Sequence, residues 1–380
     1  MPSFKIGNFS IGSPGDSIFI IAEIGQNHQG NIEKAKKLID EAKKIGCNCV
    51  KFQKSCLNSK FTKSALDRPY TGHNSWGNTY GEHKAFLEFS IDEYKILQKY
   101  SNDLGIFFSA SAMDEVSLDD LRSMDLPFIK IGSGDANNFT LLEKASKIQL
   151  PLIISTGMQT MSTIENIVQI MRSSSKTNFA LLHCVSSYPT KPEDCNLLTI
   201  QLLQKKFPDV VIGYSGHEVV PYISEAAVLL GAKIVERHIT LDKKQKGSDH
   251  LCSLTPNEFQ RLIKSIRYYE DNKLLDVPQS TQFIIDHFNG DENVKKSLGH
   301  VYGRDILNCE LDCRKKLGKS LVTSKEIRKG EILTLKNIMI KVSEPPGLTA
   351  ERLKDCLGKP TNKDLKIDEP LQAEDIFEFK

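Results

Sequence analysis

Residues 18–53 read IFIIAEIGQNHQGNIEKAKKLIDEAKKIGCNCVKFQ, and the rest of the chain repeats the pattern they hold. Ile18–Glu23 is a short apolar, largely β-branched run of the kind a buried strand requires. From Asn31 the period lengthens. Ile32, Ala35, Leu38, Ile39 and Ala42 fall on one helical face, and Gly46 supplies a residue able to end the helix in the left-handed region. Cys49–Gln53 is a second strand run. Strand, helix and strand in such quick succession form the unit from which parallel sheets are built.

Outward from there, the same alternation predicts strands at Gly105–Ser109, Phe128–Ile131, Leu152–Ser155, Phe179–Cys184, Val210–Tyr214 and Lys233–His238. Eight runs, each followed by a helical or loop segment, predict an α/β fold, a (β/α)8 TIM barrel over residues 1–278. Ser90-x-x-Glu93, Ser162-x-x-Glu165 and Thr255-x-x-Glu258 have capping-box spacing and predict helix starts. Residues 279–312 read as a polar, irregular linker. Residues 313–380 alternate short apolar runs with turn signals at Lys329-Gly330, Pro345-Pro346-Gly347 and Gly358, which predicts a small, mostly non-helical domain.

Fifty basic against 48 acidic residues leave a net charge of +2 over 380 residues. That balance argues against nucleic acid or an anionic membrane surface as the partner. No apolar run reaches the ~20 residues of a spanning helix, and Met1–Gly15 lacks a basic-then-apolar export pattern. Nine cysteines, scattered without paired C-x-x-C units, read as reduced thiols in a cytoplasmic protein.

Active sites of such barrels lie at the C-terminal mouth of the strands. The predicted strand ends there carry Glu23, Lys51, Gln53, Lys130, Ser133, Asp135, Ser155, Ser215, His217 and His238. Lys51 and Gln53 share one face of their strand, and a charge aimed into a barrel is costly unless it meets something. Ser beside Gly at three mouths, with Lys51 and Lys130 near by, suits a compact phosphate dianion. His217 and His238 end adjacent strands. They read either as two hydrogen-bonding structural histidines or as ligands of one open Mn2+ or Mg2+ site, with Glu23, Asp135 and Asp249 in range.

Longer strings carry more. IAEIGQNHQG (21–30), KFQKS (51–55), RPYT (68–71), SWGNTYGEHK (75–84), KIGSGDANNF (130–139), GYSGHE (213–218) and ERHITLDKKQKGSDH (236–250) resemble the sialic acid synthase family, most closely its animal branch. Leu317–Ser320 and Ile327–Gly330 resemble the antifreeze-like SAF domain, a β-clip-like module, of the same family. The resemblance implies condensation of phosphoenolpyruvate with N-acetylmannosamine 6-phosphate, or mannose 6-phosphate, and water to a nine-carbon 2-keto acid and phosphate. It implies that His217 and His238 hold the divalent metal. Lys51, Lys130, Ser133, Ser155 and Ser215 would anchor phosphoenolpyruvate, and Gln53, Asp135, Tyr188 and Asp249 the sugar hydroxyls. Glu23 would stabilise the oxocarbenium or take a proton. Lys319 stands where bacterial members carry an arginine for the N-acetyl group. A domain-swapped homodimer is implied, each SAF domain capping its partner's barrel.

Two other readings remain open on sequence. One is a synthase using the unphosphorylated sugar. The other is a Schiff-base lyase or aldolase with Lys51 or Lys130 as the nucleophilic amine.

Overall fold

A computed structural model describes residues 2–299 and 303–379. The eight strand runs pair into one closed parallel barrel. Its strands are β1 (Phe19–Gly25), β2 (Cys49–Lys54), β3 (Phe107–Ala112), β4 (Ile129–Ile131), β5 (Leu152–Ser155), β6 (Phe179–Cys184), β7 (Val211–Gly216) and β8 (Ile234–His238). β8 closes on β1 with His238 opposite Glu23. The third strand begins two residues later than its sequence pattern suggests, because Gly105, at φ +70°, still belongs to the turn that ends the preceding helix.

Alternation along each strand explains how one sheet serves two purposes. Ile20, Ala22 and Ile24 face the helices, whereas Phe19 and Ile21 face the barrel interior beside Cys49, Ile153, Ala180, Leu182, Val211 and Ile234. Continued towards the C-terminal mouth, the same inward face carries Glu23, Lys51, Lys130, Ser155, Cys184, Ser215, Glu236 and His238. An apolar floor therefore supports a polar rim. A hairpin of Phe4–Ile6 and Phe9–Ile11, not foreseen from sequence, seals the opposite end with Ile6 and Ile11.

The helix over Ile32–Ile45 is capped by Asn31, which accepts from the Lys34 amide, and by Gly46 at φ +93°. Capping boxes form at Ser90/Glu93 and Thr255/Glu258. The third does not. That helix starts at Met161 with Thr160 as its cap, which leaves Ser162 inside the first turn.

The expected irregular linker is instead partly helical, over Thr281–His287 and Glu292–Leu298. Ile284, Val294 and Leu298 anchor it in the barrel's outer core, a stripe its many polar residues obscure. Arg304 and Glu310 then form a buried pair, and Glu310 also accepts from the amides of Met158 (2.8 Å) and Ser186 (3.0 Å) at the mouth. Helix Leu311–Leu317 straddles residue 313, the expected domain start, and lies over the barrel.

The small domain follows, with β9 (Lys319–Thr323) antiparallel to β10 (Ile338–Val342) around Leu321, Ile327, Leu333, Ile340, Leu365 and Leu371. It sits on the mouth of this same chain's barrel. The Thr62 amide donates to the Val342 carbonyl (2.9 Å), and Val342 packs with Phe61, Ala65 and Tyr80.

Candidate active site

Strand ends and the covering helix enclose a cavity of about 440 Å3. Its walls include Glu23, Lys51, Gln53, Lys130, Ser133, Asp135, Ser155, Tyr188, Ser215, His217, His238 and Asp249, which are twelve of the thirteen residues singled out from sequence. The thirteenth, Lys319, reaches the rim from β9 and lies 2.7 Å from Asp135 Oδ1, both side chains buried.

The deepest layer is a charge-balanced cluster. Lys51 Nζ contacts Glu23, lies 3.0 Å from Ser111 Oγ and 3.8 Å from Glu236 Oε1. Lys130 Nζ lies 3.3 Å from the same Glu236 oxygen, to which Ser215 also donates at 3.3 Å. Burial opposes charge on Glu236, but Lys130 and then Lys51 outweigh it and hold its carboxyl at about 2. Burial opposes charge on Lys51 too, yet Glu23 and Glu236 keep its ammonium protonated, which makes it a poor nucleophile for a Schiff base. Burial pushes Glu23 up from the usual carboxylate range, and Lys51 only partly offsets this. Gln53 Nε2 donates to Glu23 Oε1 at 2.8 Å and so fixes its orientation.

Around this layer stand hydroxyls. Ser133 Oγ accepts from the Gly157 amide (3.0 Å), and Ser155 Oγ is buried with no partner among the described residues. The three Gly-associated serines thus open into one cavity, as the phosphate reading requires.

His217 and His238 have ring centroids 5.4 Å apart. His217 Nδ1 is 3.1 Å from the Val185 carbonyl; donating there, it leaves Nε2 as the basic nitrogen. Burial works against charge on His217, but the Cys184 thiol 4.0 Å away and the Val185 carbonyl turn its pKa upward. Burial lowers His238 to about 3, so its ring is neutral. Its Nδ1 is buried without a hydrogen bond among the described residues and lies 4.0 Å from Asp249 Oδ2. Tyr188 lies over His217, centroids 4.1 Å apart. Among the described residues no three His, Cys, Asp or Glu side chains are placed to hold a metal ion together. The donors available for an open divalent site are the two imidazoles, one of them with an orphaned nitrogen, and such a site would take its remaining ligands from water and substrate.

Residues 38–273 match the NeuB family, and residues 318–376 match the SAF domain. The chain belongs to the NeuB family. A protein named N-acetylneuraminate-9-phosphate synthase from Drosophila melanogaster is 58 % identical over 362 residues, covering 95 % of this chain and 96 % of its own. The Homo sapiens protein of the same name is 47 % identical over 94 % of this chain and 92 % of its own. The crystal structure of the spore coat polysaccharide biosynthesis protein SpsE from Bacillus subtilis superposes with a TM-score of 0.80 at 28 % identity over 99 % of both chains.

In this NeuB-family chain the sequence reading missed three groups. Glu236 shares the inward face of Ile234 and His238, so alternation alone could have found it. Cys184 follows His183 on β6, and alternation sends the two side chains to opposite faces. His183 turns outward to the Cys195 carbonyl (2.7 Å), while Cys184 meets His217 across the strands. Lys60, Lys84 and Lys316 line the outer wall, and they come from three separated helices whose convergence no local pattern announces.

Proposed function

We propose that this chain condenses phosphoenolpyruvate with N-acetylmannosamine 6-phosphate and water to give N-acetylneuraminate 9-phosphate and inorganic phosphate. The observation that carries the reading is the paired arrangement of Lys51 and Lys130 around Glu236, beneath three serines and beside two neutralisable imidazoles. A doubly anionic enol ester finds two ammoniums and three hydroxyls as donors there, and an aldehyde finds its electrophilic site next to them. The names and identities of the fly and human relatives support the same assignment.

Lys51, Lys130, Ser133, Ser155 and Ser215 bind the phosphate and carboxylate of phosphoenolpyruvate. Gln53, Asp135, Tyr188, Asp249 and Lys319 orient the open-chain sugar. His217 and His238 would hold Mn2+ or Mg2+, which supplies Lewis-acid polarisation of the aldehyde oxygen. The enol C3 attacks the aldehyde carbon and forms the new C–C bond, and the aldehyde oxygen takes up a proton. Positive charge then rests on the former enol C2 and its ester oxygen, where Glu23 faces it. Water adds at C2 and gives a proton to Glu23, whose raised pKa suits it to hold one. Cleavage of the C2–O bond releases phosphate with its bridging oxygen and leaves the 2-keto acid.

All nine cysteines are free thiols, which supports a cytoplasmic setting, and no described helix is long and apolar enough to cross a membrane. A homodimer belongs to the same proposal; the Lys319–Asp135 contact forms within the single chain, and an exchange of caps between two copies would make the same contact in trans. The deciding experiment measures phosphate release from phosphoenolpyruvate with each of four acceptors: N-acetylmannosamine, mannose and their 6-phosphates, with and without chelator. Release dependent on N-acetylmannosamine 6-phosphate and on metal is expected. Trapping of pyruvate on the protein by borohydride would replace this reading with a Schiff-base lyase.

A further inference from the structure

The cavity contains two sets of lysines with opposite charge balance. The inner pair, Lys51 and Lys130, is neutralised by Glu23 and Glu236. The outer set comprises Lys60 at the end of helix Leu57–Lys60, Lys84 in helix Tyr80–Leu87 and Lys316 in the covering helix Leu311–Leu317. None of these three has a carboxylate within ion-pair distance among the described residues. Lys60 is only 6 % exposed, and its ammonium finds nothing better than the Met113 thioether, 2.9 Å away. Lys84 and Lys316 stand 5.5 and 5.6 Å from the ring centroid of Tyr80, whose buried hydroxyl has no hydrogen-bond partner among the described residues. Lys316 also lies 5.4 Å from the ring centroid of Tyr70.

Like charges gathered in a partly dehydrated wall repel one another. Such an arrangement persists where a ligand brings the missing anion. Its position selects which anion. The enol ester is assigned above to Lys51, Lys130 and the three serines on the strands below. A sugar whose aldehyde lies by His217 and His238 extends outward past Asp135 and Asp249 to the rim, where the covering helix and the two loop helices meet.

We infer that Lys60, Lys84 and Lys316 seat the terminal phosphate of the acceptor sugar and so set the preference for a phosphorylated over a free aldose. This rests on the synthase reading above and deepens it, because it makes the chemical distinction between the two sugars a property of three named ammonium groups. The covering helix, which the sequence divided between linker and small domain, thereby becomes part of the sugar site.

The test uses full-length protein carrying Lys84→Met, Lys316→Met, both together, and Lys84→Arg. The kcat/KM values for N-acetylmannosamine 6-phosphate and N-acetylmannosamine are compared at saturating phosphoenolpyruvate. The ratio of phosphosugar to free-sugar kcat/KM is expected to fall about tenfold in each single Met variant and about a hundredfold in the double, as loss of charge-assisted hydrogen bonds implies. Lys84→Arg, which keeps the charge, should recover part of it. Because both lysines are half-buried, these variants test the seat even if Lys60→Met does not fold. A wild-type preference for the phosphosugar that survives the double substitution overturns the inference. So does a loss confined to the KM for phosphoenolpyruvate. A wild-type enzyme that prefers the free sugar overturns the phosphosugar reading itself, and the two failures are thus told apart.

Discussion

Lys319 of the small domain and Asp135 of the barrel mouth meet at 2.7 Å, each almost wholly buried, and join two regions 184 residues apart in sequence through one ion pair. Removing either partner strands a buried charge, a change typically worth ~3–5 kcal/mol. Both Asp135→Ala and Lys319→Ala should unfold more easily by that amount, and, as each removes a side chain proposed to orient the sugar, should lose about a hundredfold in kcat/KM for it. Lys319→Arg should keep more, since it keeps the charge.

The same pair tests how caps and barrels are matched. If caps are exchanged between copies, a mixed dimer of Asp135→Ala and Lys319→Ala chains contains one site with both lesions and one with neither. Co-expression should then restore roughly one quarter of wild-type activity, the fraction of intact sites in a random mixture. With each cap on its own barrel, as the single chain adopts here, the mixture stays as inactive as its components. Activity of the co-purified mixture against each variant alone decides the matter.

His217→Ala and His238→Ala should each reduce phosphate release about a thousandfold, in line with the several kcal/mol a Lewis acid supplies. Chelation should abolish release from the wild type, and added Mn2+ or Mg2+ should return it. Full activity in either variant, or in chelator, would show that the two rings serve hydrogen bonding alone. Titration of bound metal in the purified variants provides a readout independent of turnover.

Much of this is legible in the sequence. The barrel followed from eight runs whose lengths and spacing leave few alternatives. The rim followed from the incongruity of Lys51, Lys130 and the histidines on faces that should be apolar. Other features were hidden for physical reasons. The helices at Thr281–His287 and Glu292–Leu298 bury few residues each, so their apolar stripes are thin against a polar background. The hairpin at Phe4–Ile11 is too short to declare a period, and its role depends on the barrel it plugs. Glu236 was passed over because a string that names His238 draws attention away from its neighbour two places earlier, although both point inward. Cys184 gives no local signal, because its partner His217 stands on the next strand, 33 residues away in sequence.

Glu236 offers a stability test. Its carboxyl titrates at about 2 in the folded chain against 4.5 ordinarily, because Lys130 and Lys51 outweigh burial. A depressed folded-state pKa means stability that is present above about pH 4.5 and lost as pH falls towards 2. Glu236→Gln should unfold more easily than wild type at pH 7, by about 3 kcal/mol, since it leaves two buried ammoniums short of a counter-charge. The gap should narrow as pH drops through that window. Urea unfolding of both proteins from pH 7 to pH 3 measures it, and a gap that stays constant with pH would refute the pairing.

The outer lysines give the last prediction, on the alkaline side. Burial lowers both Lys60 and Lys84 to about 8. Lys60 faces Asp135 and Asp114, which oppose that shift, and Lys319 and Lys84, which add to it. Lys84 faces Asp249 and Glu88 on one side and Lys316 and Arg68 on the other. Above pH 8 these ammoniums give up their protons, and the proposed phosphate seat loses charge. The kcat/KM for N-acetylmannosamine 6-phosphate should thus fall about tenfold per pH unit beyond 8, steeper than the profile for the free sugar. Stability should move the other way. Lysines that titrate at about 8 when folded and near 10.5 when unfolded leave the unfolded chain holding more protons between those values, so their contribution rises with pH across that interval. Parallel profiles for the two sugars would mean that the lysines lie beside the acceptor without touching its phosphate.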